Sequence, residues 1–190
     1  MTIVVQHARL RSPWAVYSEC KRYRYVLSWP TGAEGNRVAL GIFANPSTAT
    51  EEQLDPTCKR WVNYCRAWGY AEAQVCNVRA WRETDPRLVP PDPLAIGPEN
   101  DDQIMDAAVN ADLIVCGWGK LGGDRGREVL ALLRQPMTDG DGNRCDFVPC
   151  ALKLNKDGSP AHPLYLRGDL LPQPMPTTRP GCLRDPMEDR

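Results

Sequence analysis

Residues 38–44 read VALGIFA, a continuous apolar run followed at once by Asn45-Pro46. A run this short and unbroken is a strand buried on both faces, because a half-exposed strand would alternate with polar residues. Two further segments share its character, AQVCNVRA at 73–80 and ADLIVCG at 111–117. Helical signals separate them. Asp55 precedes Pro56, and Trp61, Val62, Cys65 and Trp68 recur at helical spacing before Gly69. That pattern is an N-cap, a proline at the first helical position, an apolar stripe and a glycine stop, and it predicts a helix from Pro56 to Trp68.

The remaining elements follow the same alternation. Tyr23 to Trp29 is aromatic and β-branched, as an extra strand before the first core strand should be. The proline-rich stretch 84–98 is an irregular connection, and Pro98 opens a helix reaching Asn110. A third helix is expected from Arg125 to Arg134 with Val129, Leu130 and Leu133 inward, and DFVPCAL at 146–152 is a fourth core strand. Strands separated by helices imply crossover connections, hence a mainly parallel sheet of about four strands in a three-layer α/β/α sandwich.

Composition excludes several classes. The chain has 190 residues, 42% hydrophobic and 25% charged, with 23 basic and 24 acidic side chains, as in an ordinary single globular domain. One domain over 1–172 is expected, with prolines at 174, 176, 180 and 186 marking an extended tail over 173–190. No apolar run reaches the roughly 20 residues of a membrane span, and the N-terminal segment lacks the order of a secretory signal, so a cytoplasmic monomer without membrane partners is expected. The eight cysteines form no CxxC pair and the two histidines, His7 and His162, are far apart. They read as small hydrophobes, with no metal or cofactor expected.

In a parallel sheet the ligand crevice lies beyond the carboxyl ends of the strands, so residues just after each strand carry the functional reading. These are Asn45, Pro46, Ser47 and Thr48; then Asn77, Arg79, Trp81 and Arg82; then Trp118, Gly119 and Lys120; and finally 162–167, HPLYLR.

GIFANP at 41–46 resembles the first motif of the uracil-DNA glycosylase superfamily in its mismatch-specific branch. VCNVRA at 75–80 is similar to the strand whose asparagine reads a flipped base, and HPLYL at 162–166 to the late histidine loop. ANPSTAT, LDPTCKR, GPENDD and HPLYL together look more closely like an uncharacterised bacterial and phage domain family over Tyr23 to Arg167. The superfamily resemblance implies a glycosylase-like fold and a monofunctional, metal-free hydrolase acting on DNA, double- or single-stranded, with one base flipped out. His162 would stabilise the departing base, Asn77 would read its edge, and Asn45 would orient water.

Residue chemistry limits these roles. Asn45 cannot accept a proton as a carboxylate does, which makes Asp55 the nearest substitute and favours a damaged or modified pyrimidine over ordinary uracil. The phage setting suggests hypermodified phage DNA as the target. Trp81 or Trp118 could stack on the base, Leu164 or Tyr165 could wedge into the duplex, and Ser47, Lys120, Arg125 and Arg167 could hold phosphates. Plain structural readings stand beside these: Asp55 as a helix cap, Asn77 as a satisfied core amide, His162 as a loop cap and Asn45-Pro46 as a strand stop.

Two alternatives of different class stay open. One is a non-catalytic module recognising modified bases or nucleotides. The other is an NAD-linked oxidoreductase, because residues 117–122, GWGKLG, match GxGxxG between a strand and a helix. Against it, the motif follows the third core strand and has a bulky tryptophan in the tight turn.

Overall fold

The computed structural model describes residues 12–138 and 144–176. Its strands are β1 (Trp14–Tyr17), β2 (Arg24–Pro30), β3 (Val38–Phe43), β4 (Glu72–Asn77), β5 (Leu113–Cys116), β6 (Met137–Thr138), β7 (Arg144–Cys145), β8 (Cys150–Ala151) and β9 (Gln173–Pro174). The helices are α1 (Pro56–Ala67), α2 (Asn100–Val109) and α3 (Gly123–Leu133).

One seven-stranded sheet has the order β1-β2-β4-β3-β5-β8-β9, and β6 pairs with β7 apart from it. Strands β4, β3, β5 and β8 are parallel to one another, whereas β1, β2 and β9 join antiparallel at the two edges. The fold is therefore mixed α/β, and the expected mainly parallel sheet of about four strands is corrected. Antiparallel neighbours need only a tight turn, so the short β1 extends one edge without any helical crossover to announce it. Residues 173–176, expected in the tail, stay on the sheet: β9 pairs with β8 and Met175 is buried in the core. The tail beyond residue 176, and His7, lie outside the described residues.

Strand β3 is fully buried, and its side chains alternate between two cores. Ala39 and Phe43 face α1 with Cys58, Trp61, Val62 and Cys65, while Leu40 and Ile42 face Ile104, Ala108, Val129 and Leu133 from α2 and α3. Helices thus cover both faces. Gly41 has no side chain because a Cβ there would lie 2.6 Å from Phe43 Cζ and 2.9 Å from the Trp61 ring.

Helix α1 follows its sequence signals. Asp55 Oδ1 accepts from Cys58 N at 2.8 Å, Pro56 opens the helix, and Gly69 follows its end with φ 75°. Trp61 is fully buried, edge-on to Phe43 and Trp68, and its indole N–H donates to Gln74 O at 2.9 Å. The cysteines at 58, 65, 76, 116 and 150 are buried, and burial pushes the Cys58 and Cys76 thiols up to about 12. They act as small apolar groups. No described helix is long and apolar enough to cross a membrane.

Replacing Trp61 with alanine removes the ring that fills the space over Gly41. It should destabilise the protein by about 3–5 kcal/mol, measured by urea unfolding, with Trp61→Phe losing less.

Candidate functional site

Loop 159–166 is drawn over the carboxyl ends of β3 and β5 by backbone bonds, Gly119 N to Pro160 O and Ala161 N to Lys153 O, both 2.8 Å. Gly117 makes room for it, since a Cβ there would meet Pro163 Cδ at 2.9 Å. From α1, the Arg60 guanidinium donates to Leu166 O and the Tyr64 hydroxyl to Arg167 O. The loop histidine is thereby fixed against the sheet.

His162 caps the short 3₁₀ turn Pro163–Tyr165, its Nδ1 accepting from Leu164 N at 3.4 Å. That bond assigns the proton of the neutral ring to Nε2. The imidazole lies 5.8 Å from the Phe43 ring and 5.8 Å from Tyr165. Burial holds His162 below the usual histidine range, and the negative charge of Asp55 opposes that only in part. The arrangement presents a neutral imidazole with one N–H donor.

Asn77 ends β4 directly beside Phe43 in the parallel register. Phe43 is therefore flanked by Asn77 on one side and His162 on another, and the charge of buried Asp55 reaches the histidine. These three predicted residues gather. Asn77 is nonetheless only 2% exposed, and its Oδ1 accepts from Arg24 at 3.5 Å.

Arg24 is the residue that sequence reasoning missed. It is 2% exposed, donates to Ala49 O at 2.6 Å, leaves Nε without a partner, and forms no ion pair among the described residues. A lone charge opening the apolar strand RYVLSW was the available signal. Buried Asn100 was missed too: its Nδ2 donates to Asn77 O at 3.0 Å and Val78 O at 3.1 Å, pinning the end of β4.

Asn45 is not brought to His162. Its amide donates to Glu83 O at 2.7 Å, and it lines a pocket of about 240 Å³ with Arg79, Asp92 and Leu121, whose walls do not include His162. Arg79 and Asp92 form a two-bond ion pair, both bonds 2.8 Å. The water-orienting role expected of Asn45 is therefore placed away from the histidine.

Ser47 and Trp81 line another pocket, of about 610 Å³, with Lys21, Arg22 and Arg82. Trp81 is half-buried, bridged to Tyr23 and edge-on to its ring at 5.6 Å. Trp118, by contrast, is 4% exposed and belongs to the core: a Cβ at Gly122 would sit 2.0 Å from its Cδ1, and one at Gly126 2.4 Å from its Nε1. It offers no face for a base. The same packing accounts for the GxGxxG glycines, which make room for Trp118, Pro163 and the turn at Gly119 with φ 62°.

Arg125 is 5% exposed and committed to Asp101, Glu128 and Val78 O, which makes it a structural clamp instead of a phosphate contact. Lys120 and Tyr165 are exposed, Leu164 is half-buried, and exposed Arg167 pairs with Asp169 at 2.5 Å. Tyr165 is 83% exposed. Among the described residues no three His, Cys, Asp or Glu side chains gather as metal ligands.

A family model described as a protein of unknown function (DUF1643) matches residues 24–164. No curated protein and no solved structure matches the chain. The match runs from the first residue of β2 into the histidine loop, covering the sheet strands β2, β3, β4, β5 and β8 and the residues Asn77, Asp55 and His162, and the chain belongs to the DUF1643 family.

Proposed function

We propose that the chain is a monofunctional DNA N-glycosylase that removes a flipped, modified or damaged pyrimidine and leaves an abasic site. The observation that carries this reading is the placement of Asn77 and His162 on either side of Phe43 at the carboxyl ends of β4 and β3, with His162 neutral and its proton on Nε2. The resemblance to the uracil-DNA glycosylase superfamily adds the reaction type and a fold of that kind, with the parallel strands β4, β3, β5 and β8 as its central sheet.

The chemistry is a hydrolysis. As the bond from the sugar C1′ to the base nitrogen breaks, its electron pair leaves with the base, and positive charge spreads over the sugar. His162 Nε2–H donates to the developing base anion in a largely dehydrated site, which stabilises the transition state without proton transfer. Water adds to C1′, and its proton finally reaches the base. Asp55, not Asn45, is the carboxylate near this histidine; one of its oxygens caps α1 and the other is the candidate partner for that water. Arg24 would shift from Asn77 Oδ1 as the edge of a flipped base takes its place. Modified phage DNA is the substrate that the bacterial and phage resemblance favours.

A second reading is favoured by one observation. Asn77 and Asp55 are both already engaged within the protein, as suits a module that recognises a modified base or nucleotide without cleaving it.

Incubating the protein with DNAs carrying uracil, mismatches or phage-type modified pyrimidines should release one base, detected as abasic sites and by mass spectrometry of the free base. His162→Ala should slow that release by about a hundredfold or more, the loss typical of one transition-state donor. Binding to one of these DNAs without any release sinks the glycosylase reading and selects the recognition module.

The rate should also be flat across and above the usual histidine range. It should fall only at lower pH, as His162 protonates below its ordinary value. Stability follows the same sign: the unfolded chain takes up this proton at higher pH than the folded one, so the His162 contribution is full above the unfolded value and fades as pH drops through the folded one. A pH–rate profile of wild type against His162→Ala checks this, and a decline already beginning above the usual histidine range would contradict it.

A further inference from the structure

We propose that the pocket where the β1–β2 turn meets the carboxyl ends of β3 and β4 binds the phosphate ester of a nucleotide, with Lys21, Arg22 and Arg82 on the phosphate and Trp81 as the wall for sugar or base. The assignment deepens the nucleic-acid reading above, on which it rests for the choice of a nucleotide. It involves neither His162 nor Asn77, which are not among the walls.

Charge is the first support. The chain as a whole carries a net charge of -1, yet three cations converge here. Lys21 Nζ lies 4.8 Å above the Tyr17 ring, the Arg82 guanidinium 5.1 Å from the same ring, and the Arg22 guanidinium 5.9 Å from Trp81. Aromatic faces hold these groups, and none is in an ion pair among the described residues. The acidic wall residue, Glu83, has its Oε1 occupied by the backbone N–H groups of Thr84 and Asp85 at 2.7 and 3.1 Å. Glu51, the other nearby carboxylate, accepts the Tyr17 hydroxyl at 2.8 Å. The cations are left to face solvent and an incoming anion.

Backbone geometry is the second. Lys21 has φ 59°, the left-handed region that a lysine seldom adopts, and Lys21 N donates to Ser18 O at 2.9 Å to close the turn. The turn that carries this strain is the one delivering Lys21 and Arg22 to the pocket. Arg82 Nη1 donates to Lys21 O at 3.2 Å, which ties the third cation to the same turn.

Ser47, Thr48 and Thr84 add hydroxyl donors, so cations and hydroxyls together match the several acceptor oxygens of a phosphate. The volume of about 610 Å³ falls among clefts for small ligands, roughly 300–1,000 Å³. An indole wall beside clustered cations is the combination that holds nucleotides along a single strand, through stacking and phosphate contacts. Carboxylate ligands would satisfy the cations but leave the aromatic wall unused.

The test measures anisotropy of a labelled, short single-stranded oligodeoxynucleotide with the full chain at low and high salt. Wild type is compared with Lys21→Ala/Arg82→Ala and with Arg22→Ala, and circular dichroism confirms that each variant folds. Lys21→Gln/Arg22→Gln serves if an alanine variant does not. Wild-type binding that weakens about tenfold or more in the double variant and there loses its salt dependence in part supports the site. Competition by a nucleoside monophosphate at equal concentration assigns the phosphate to a free nucleotide, and its failure to compete assigns it to a strand. Equal binding by the double variant, displacement by an acidic peptide as readily as by nucleotide, or no binding of any phosphate ester at low salt overturns the proposal. Because His162 is not among the pocket's walls, binding of the oligonucleotide by wild type with no base release from any DNA would reject the glycosylase reading alone.

Discussion

Strand β3 is packed on both faces, and the positions of the other elements follow from that. Alternate side chains enter two cores, one closed by α1 and the other by α2 and α3. Between Ala39 and Phe43, Gly41 supplies an empty position into which the Phe43 and Trp61 rings fit. This contact ties α1 to the sheet at the strand's carboxyl end, so the same aromatic ring that closes the core also forms the floor beneath His162. Core packing and the candidate site are joined at one side chain.

The carboxyl edge is held together by buried polar groups. Arg24, Asn100 and Arg125 each donate to backbone carbonyls or to an amide where β3 and β4 give way to loops, satisfying groups that the sheet no longer pairs. Arg24 carries a full charge into that region without an ion pair among the described residues, and it touches the asparagine placed beside Phe43. Buried Asp55 lies in the same region, acting with Arg24 on the Cys58 thiol, so both signs of charge are held close to the candidate site.

Local signals in the sequence account for much of this. The Asp55-Pro56 cap, the apolar stripe of α1, the Gly69 stop, the three central strands and the alternation with helices were all legible, because each rests on a spacing of a few residues. The ends of the elements were less so: DFVPCAL contracts to Cys150–Ala151, since only those residues reach β5. Strand β1 is four residues long and β9 only two, too short for a period to appear. Trp118 illustrates the opposite failure. Its position after a strand suggested a ligand contact, but whether a strand-end side chain turns outward or inward depends on what opposes it, here the bare backbone of Gly122 and Gly126.

The sequence by itself determined the α/β class, the capped first helix, the carboxyl-end location of the polar residues and the candidacy of His162, Asn77 and Asp55. Tertiary structure alone decided which of those residues meet. Asn45 and His162 belong to the same motif set, yet Asn45, in the loop after β3, donates to Glu83 O and lines a pocket whose walls do not include His162, which arrives on a separate loop held by Gly119 and Lys153. The basic pocket was likewise decided in three dimensions: Lys21 and Arg22 arrive from the β1–β2 turn, Arg82 from beyond β4 and Ser47 from beyond β3. Charges separated by some sixty residues carry no joint signal along the chain, and only antiparallel pairing of β2 with β4 brings them within reach of one ligand.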